Sequence, residues 1–213
     1  MDIQTQRMFF AAAAGAGDDL PEIGEFLEGG YFAGVISQSA NGVATHGLIV
    51  APAAFGYNSF QYKTSDTFTN FSDSEYDGAS ITLNIGDTNH PAANYCKGLS
   101  INGYSDWYLP ARYELEIAYY NLKPTTEINN TSIGANSYAV PQRGLSYTEG
   151  NPAQTSVAAF QSGGAEAFAA DNHWTATQFS TASAWLVLFR NGLQYGNTKT
   201  NSAYVRAFRK FAL

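Results

Sequence analysis

The order of hydrophobic patterns along the chain constrains its fold most. Runs of alternating apolar and polar residues, which predict β-strands, lie near both ends, and two helical patterns lie between them. Near the start, 31–36 and 46–51 flank Asn41-Gly42, a dipeptide typical of hairpin turns. Strands, then helices, then strands predict an α+β fold with antiparallel sheets. Four further strands are predicted near the end, at 173–177, 184–189, 192–198 and 204–211.

Two helices are predicted in the middle of the chain. Residues 91–99 and 110–122 both place apolar side chains at the i, i+3, i+4, i+7 spacing of a buried stripe. Pro110 suits the first turn of a helix, where its missing N–H has no helical partner. The remaining segments are polar and predict connections at 52–88 and 125–150, a short strand at 107–109 and a brief helix at 155–161.

The chain divides into an N-terminal arm, 1–30, and one domain, 31–213. The arm has an Ala/Gly run at 9–17, then acidic residues, and ends in two glycines. The run after Arg7 has the outline of a short signal peptide, but Asp2 removes the clear positive charge that such a peptide carries. We therefore favour an arm that docks onto another protein.

Charge and cysteine content exclude several classes of protein. A net charge of −7 argues against a general nucleic-acid binder, which needs a basic face. From Arg190 onward there are five basic residues and no acid, so the C-terminal surface is expected to be mildly basic, either to attract acidic glycans or simply as solvated charge. The single cysteine, Cys96, excludes an internal disulfide and is interpreted as a core residue. No apolar run is long enough for membrane insertion.

No catalytic chemistry is predicted. The sequence has no phosphate-binding glycine loop, no HExxH zinc helix and no nucleophile elbow. Glu114 and Glu116 lie two residues apart on a helix and so point to different faces. Asp171 and Asn172 are too few for a calcium site, and the three histidines lack a ligand pattern and are taken as structural. An enzyme is therefore not expected, and neither a metal nor a cofactor is predicted.

Three blocks in the second half of the chain resemble a known family. The first, within 102–122, reads Gly-Tyr-Ser-Asp-Trp-Tyr-Leu-Pro and is followed, after three further residues, by Glu-Leu. The second is His-Trp-Thr-Ala-Thr at 173–177 with Ala-Trp-Leu-Val-Leu-Phe-Arg-Asn-Gly at 184–192, and the third is Tyr-Val-Arg-Ala-Phe-Arg at 204–209. In this order they resemble the collagen-like-protein C-terminal domain family. No Gly-X-Y repeat precedes them, so any stalk would come from other chains.

The resemblance implies a C-type-lectin-like fold and a place in bacterial adhesins or phage virions. The expected function is a phage receptor-binding protein of the tail fibre or tail tip that recognises a host cell-surface glycan or protein. The alternative is a structural virion protein, such as a capsid decoration or tail component, with a bacterial cell surface as the alternative location. Other virion proteins would bind residues 1–30, and a homo-oligomer is expected, with a trimer suggested by phage fibres in general.

Within these blocks, the aromatic residues are expected to form the frame and the polar residues between them the binding surface. The predicted core comprises Trp107, Leu109, Trp174, Trp185, Val187, Phe189 and Val205, with an ion pair between Asp106 and Arg206. The outward residues are rich in Asn, Ser and Tyr, as in antibody loops, although an ordinary solvated hairpin would look similar. The predicted ligand-binding residues are Phe179, Ser180, Thr181, Asn191, Gln194, Tyr195, Asn197, Lys199, Asn201 and Tyr204.

Overall fold

The computed structural model describes residues 20–213, which form two β-sheets and four α-helices. The predicted mixture of helices and sheets is confirmed. The predictions for the Ala/Gly run at 9–17, both as signal peptide and as docking arm, lie outside the described residues.

The first sheet is antiparallel, in the order β1-β2-β3-β9. The predicted opening hairpin is confirmed, because β2 and β3 pair from Tyr31 with Val50 to Ile36 with His46. Strand β1 lies inside the segment predicted as the arm, and Leu20 and Ile23 pack on the same sheet. The strands are β1 Phe26–Leu27, β2 Gly30–Ile36, β3 His46–Val50 and β9 Phe208–Ala212.

The second sheet has five strands in the order β4-β8-β5-β6-β7. Strands β6 and β7 form a hairpin, and β5 is joined to β8 through a single parallel bridge between His173 and Tyr204. This sheet is therefore mixed, and the prediction of antiparallel sheets is confirmed only for the first sheet. The strands are β4 Tyr57–Gln61, β5 Asn172–Gln178, β6 Ser183–Leu188, β7 Gln194–Thr198 and β8 Ser202–Arg206.

The predicted single strand at 204–211 is wrong, because the chain changes sheet at Ala207. The N–H of Ala207 donates to the carbonyl of Gly56, and its carbonyl accepts from the N–H of Ala51. Strand β8 therefore ends in the second sheet, and β9 continues directly in the first.

Both predicted helices are present, but the segment predicted as a loop, 52–88, holds two more helices and β4. The side chain of Asp77 caps the second of these helices by accepting from the N–H of Ser80, and the helix buries Ile81 and Ile85. The α-helices are α1 Ala53–Gly56, α2 Gly78–Ile85, α3 Pro91–Lys97 and α4 Arg112–Leu122, with a 3-10 turn at Ala158–Phe160.

Two hydrophobic clusters, built around opposite faces of the second sheet, form most of the core. One packs β5, β6 and β8 against α2 and α3, and the other packs Val187 and Phe189 against α4 and the first sheet. All but one of the predicted core residues are buried. The exception is Trp185, which is half-buried because its ring lies beside Arg112 and Phe179 at the surface.

The predicted ion pair between Asp106 and Arg206 is wrong. Arg206 lies at the junction of the two sheets, where its guanidinium donates to Glu166 at 2.7 Å and to the carbonyl of Ala51 at 2.6 Å. Asp106 instead accepts from Arg209 of β9, at 2.5 Å. The two arginines lie three residues apart but on either side of Ala207, so the change of sheet separates their partners.

Candidate functional site

Three loops converge at one end of the second sheet, which we call the loop end and define as residues 62–74, 178–183 and 197–202. The strand pairing brings them together. Gln61 pairs with Ser202, Gln178 with Ala184, and Ser183 with Thr198.

A buried lysine joins these loops. Lys199 was predicted to face outward and contact a ligand, but its side chain is fully buried. Its ammonium donates to the carbonyls of Thr67 at 2.9 Å and Thr181 at 3.0 Å, and to the Gln178 side-chain oxygen at 2.6 Å. Desolvation, aided by the neighbouring Lys63, lowers the pKa of Lys199 to about 8. The residue therefore positions the loops from within.

A second lysine reinforces the same region. The ammonium of Lys63 donates to the carbonyl of Phe68 at 2.6 Å, and its backbone N–H donates to the carbonyl of Lys199 at 3.1 Å. Within residues 20–213, neither ammonium forms an ion pair with a carboxylate. Both lysines thus donate to uncharged oxygens, and this satisfies loop carbonyls that would otherwise be unpaired.

The loop end presents three phenylalanines to solvent. Phe68, Phe71 and Phe179 are 51%, 72% and 52% exposed. Phe71 adopts φ +62°, a left-handed conformation that is uncommon for a residue with a bulky side chain. The surrounding backbone is fixed, because the N–H of Thr69 donates to the side chain of Gln178, whose own N–H donates to the carbonyl of Ser72.

Phe179 continues into an aromatic ledge formed by Phe179, Trp185 and Arg112. Its ring packs edge-on against Trp185 with centroids 4.6 Å apart, and the guanidinium of Arg112 lies 3.8 Å from the Trp185 ring. Gly196, which pairs with Trp185 across the strands, leaves room for Phe179, since an added Cβ there would lie 2.3 Å from that ring. Gln194 was predicted to face outward but is buried and accepts from Arg112 at 2.7 Å.

Polar side chains complete the loop end and are largely bonded to each other. Asn201 donates to the side chain of Asn197 at 3.1 Å, and Asp66 accepts from the N–H and the hydroxyl of Thr200. Ser180 and Thr181, also predicted as ligand-binding residues, form the exposed turn between β5 and β6. Of the ten predicted residues, the loop end thus brings together Phe179, Ser180, Thr181, Asn197 and Asn201, with Lys199 beneath them.

The other predicted residues lie elsewhere. Asn191 is in the turn between β6 and β7, at the opposite end of that hairpin, where its side chain accepts from the N–H of Leu193. Tyr195 donates to Asn172 at 2.9 Å on the edge strand. Tyr204 lies in mid-sheet, where its ring packs against Tyr57. These three residues do not form one surface with the loop end.

The segment at 62–74 was missed as part of the site. It contributes Phe68, Phe71 and two exposed carboxylates, Asp66 and Asp73. The sequence signal for this segment was a pair of isolated phenylalanines in an otherwise polar run. Apolar residues without helical or strand periodicity are typical of loops, so these two rings could have been predicted to face solvent.

The predicted basic C-terminal surface is wrong, because four of its five cations are held internally. Arg206 pairs with Glu166, Arg209 with Asp106 and Glu28, and Lys210 with Asp77, while Lys199 is buried. Only Arg190 is well exposed, 3.7 Å from Glu127. The alternative interpretation, that these cations are exposed to solvent and only keep the protein soluble, is wrong for the same four residues, because their charged groups bond within the protein.

The two glutamates of α4 are bonded to other parts of the protein. Glu114 and Glu116 face different partners, as predicted: Glu114 accepts from the N–H of Ala111 and of Gly78, and Glu116 accepts from Tyr147 and Arg143. Burial raises the pKa of Glu114 to about 7. Cys96 is buried, as predicted.

The described part of the chain, 20–213, contains no group of three or more histidine, cysteine or acidic side chains that could hold a metal ion. In the same range, no helix is both long and apolar enough to cross a membrane. The loop end itself presents exposed rings and small polar groups on a backbone held by hydrogen bonds, and such a surface suits binding by contact.

Comparison with models of protein families gives a match. The family model for the Lcl C-terminal domain covers residues 61–209, from the end of β4 to the start of β9. No curated protein matches the chain. The matched range includes all of the loop end and every block on which the resemblance rests.

Proposed function

Because the chain belongs to the Lcl C-terminal domain family, we propose that it is a non-enzymatic receptor-binding or adhesin module whose loop end recognises a host cell-surface glycan or protein. The observation that carries this proposal is the pair of buried lysines beneath three exposed phenylalanines. Exposed aromatic side chains lower solubility, and holding the loops that carry them in one conformation costs conformational entropy. Because both costs are offset when a partner covers the rings, such a surface indicates a binding site.

The location and assembly follow from the sequence resemblance. The module belongs on a phage particle, at a tail fibre or tail tip, where residues 1–30 bind other virion proteins and a homo-oligomer, such as a trimer, presents several copies. A C-type-lectin-like fold is part of the same proposal. Its support is the order of elements along the chain, in which the helices α3 and α4 lie between an opening hairpin and a closing set of strands.

The test is adsorption of the purified chain to bacterial cells. A triple variant, Phe179→Ala, Asn197→Ala and Asn201→Ala, changes exposed or half-exposed residues of the loop end and should lower adsorption at least ~30-fold, as expected when central contacts are removed. The matched control is Asn191→Ala, at the other end of the hairpin, which should adsorb like the unchanged chain. Equal adsorption by a folded triple variant would refute this site.

The structural alternative, a capsid decoration or tail component, uses the same exposed rings for contacts between subunits. Incorporation into particles separates the two functions. If particles carrying the triple variant lose the protein, the loop end binds other subunits; if they keep it but adsorb poorly, the loop end binds the host.

A further inference from the structure

We infer that the partner of the loop end is a protein whose apolar pockets are bordered by cationic groups. This inference rests on the proposed function and names its ligand class. Three properties of the loop end carry it: exposed rings without polar handles, a rigid backbone, and negative charge.

The rings are suited to pockets. Phe68, Phe71 and Phe179 are each more than half exposed, and phenylalanine carries no hydroxyl or N–H for directional bonding. A large apolar side chain stabilises a complex when it enters a desolvated pocket, as anchor residues of protein interfaces do. The loop end thus offers anchors that lack hydrogen-bonding groups for a sugar.

The polar groups also disfavour a glycan. A sugar is held by side chains whose donors and acceptors are free to reach its hydroxyls. At the loop end the amide of Asn201 already bonds Asn197, and both oxygens of Asp66 accept from Thr200. A glycan would have to compete with these internal bonds.

The charge disfavours anionic partners. Asp66 and Asp73 are exposed, whereas the ammonium groups of Lys63 and Lys199 are buried and donate to loop oxygens. Arg112, in the ledge, is paired with Glu75 at 2.7 Å. Among the described residues of the loop end and the ledge, an acidic polymer or an anionic lipid surface would meet carboxylates and no free cation. A partner with cationic groups around its pockets would be attracted instead.

The loops are organised before binding. The lysine contacts join 62–74 to 178–183, and Gln178 bonds Thr69 and Ser72. A surface that is already ordered loses less conformational entropy on association. This favours tight binding to a folded partner of fixed shape.

The experiment measures binding of the full chain to cells of a strain that it adsorbs to, after proteinase K or after periodate treatment, and to vesicles with 30% anionic phospholipid. Proteinase K should abolish adsorption, periodate should leave it within twofold, and the vesicles should not bind. The variant pair Phe68→Ser and Phe71→Ser should weaken adsorption ~100-fold. The control Phe55→Ser changes a ring that is 61% exposed outside the loop end and should have no effect.

The charge is tested separately. Asp66→Asn with Asp73→Asn should slow association at low salt, and the difference should shrink at high salt. Loss of adsorption after periodate but not after proteinase, binding to the vesicles, or full adsorption by the phenylalanine pair would each overturn the inference and leave the proposed function standing. If the unchanged chain adsorbs to no strain, the proposed function itself fails.

Discussion

His173 shows how hydrogen bonds fix one buried side chain. Its Nδ1–H donates to the carbonyl of Asp171 at 2.9 Å, and its Nε2 accepts from the hydroxyl of Tyr57 at 2.8 Å. That hydroxyl in turn accepts from the N–H of Ala169. The ring is therefore neutral and held in one tautomer, and burial lowers the pKa of His173 to about 3.

This pKa predicts a loss of stability in acid. Because the folded pKa of about 3 lies below the ordinary value of 6.5, the unfolded chain binds the proton first as pH falls. The contribution of His173 is complete above about pH 6.5 and declines toward pH 3, by roughly 2 to 3 kcal/mol at pH 4.5. The free energy of unfolding in urea, measured at pH 7.5 and at pH 4.5, should fall less in the His173→Gln variant than in the unchanged chain, by that amount.

Glu114 changes stability with pH in the opposite direction to His173. Comparing the His173→Gln variant with the unchanged chain cancels this effect. Its folded pKa is raised from 4.5 to about 7, so its contribution to stability is present at low pH and is lost as pH rises through 7. Both proteins contain Glu114, so the difference between their pH dependences isolates His173. Identical declines in the two proteins would contradict the prediction.

Sequence reasoning succeeded for single residues whose environment is local and failed where the partner is distant. Cys96 was recognised as buried from its place on a helical stripe. Lys199 was not, because it bonds the carbonyl of Thr67, 132 residues away, and a position just after a strand reads as exposed until that loop is in place.

At the scale of elements, long periodic segments were predictable and short ones were not. Helices α3 and α4 carry clear apolar stripes, and the opening hairpin carries its Asn-Gly turn. Helix α2 has eight residues, among them Gly, Ser, Thr and Asn, so tertiary packing rather than intrinsic propensity stabilises it. The change of sheet at Ala207 was not predicted, because the run 204–211 contains no Gly or Pro that would mark a break in a strand.

The loops of the loop end should loosen when the buried ammonium is removed. Lys199→Met leaves the carbonyls of Thr67 and Thr181 without this donor, at a cost of about 1 to 3 kcal/mol. Amide exchange at Thr69 should then accelerate ~10- to 100-fold, while exchange within β6 stays unchanged. The measurement is hydrogen exchange resolved by residue.

The control for this variant is Lys97→Met, since Lys97 also donates to backbone carbonyls but lies at an exposed position. It should leave exchange at the loop end unaltered. Equal protection of Thr69 in the Lys199 variant and the unchanged chain would show that the loops are held by other contacts.

At the scale of the whole molecule, the order of patterns predicted the mixture of helices and sheets, and the change of sheet determines how the parts are joined. At the junction, the carboxylate of Glu166 accepts from Arg206 and from the N–H of Ala53, both at 2.7 Å. Arg206 belongs to the second sheet, and Ala53 follows the last strand of the opening hairpin. The pair formed by Arg206 and Glu166 therefore connects the second sheet to the segment that follows the opening hairpin.

Breaking that pair should destabilise the entire fold. Arg206→Met leaves the carboxylate of Glu166 largely buried without its charge partner, which typically costs about 3 to 5 kcal/mol. Urea unfolding followed by tryptophan fluorescence and by far-UV circular dichroism should report this loss in a single shared transition.

Arg190→Met is the matched control, because Arg190 and Glu127 are both exposed and 3.7 Å apart. The expected change is below about 1 kcal/mol. A comparably small loss in the Arg206 variant would mean that the junction is held by apolar packing alone.

The continuous run through β8, Ala207 and β9 also has a mechanical consequence. A pull on the turn at 199–201 is transmitted from Ser202 along β8 and, through Ala207, into β9 of the first sheet, where five residue pairs join β9 to β3. Because the pull runs along these strands, their hydrogen bonds share the force in shear and must rupture together. Under such a pull, the domain is expected to resist unfolding better than one whose last strand can be peeled away one hydrogen bond at a time.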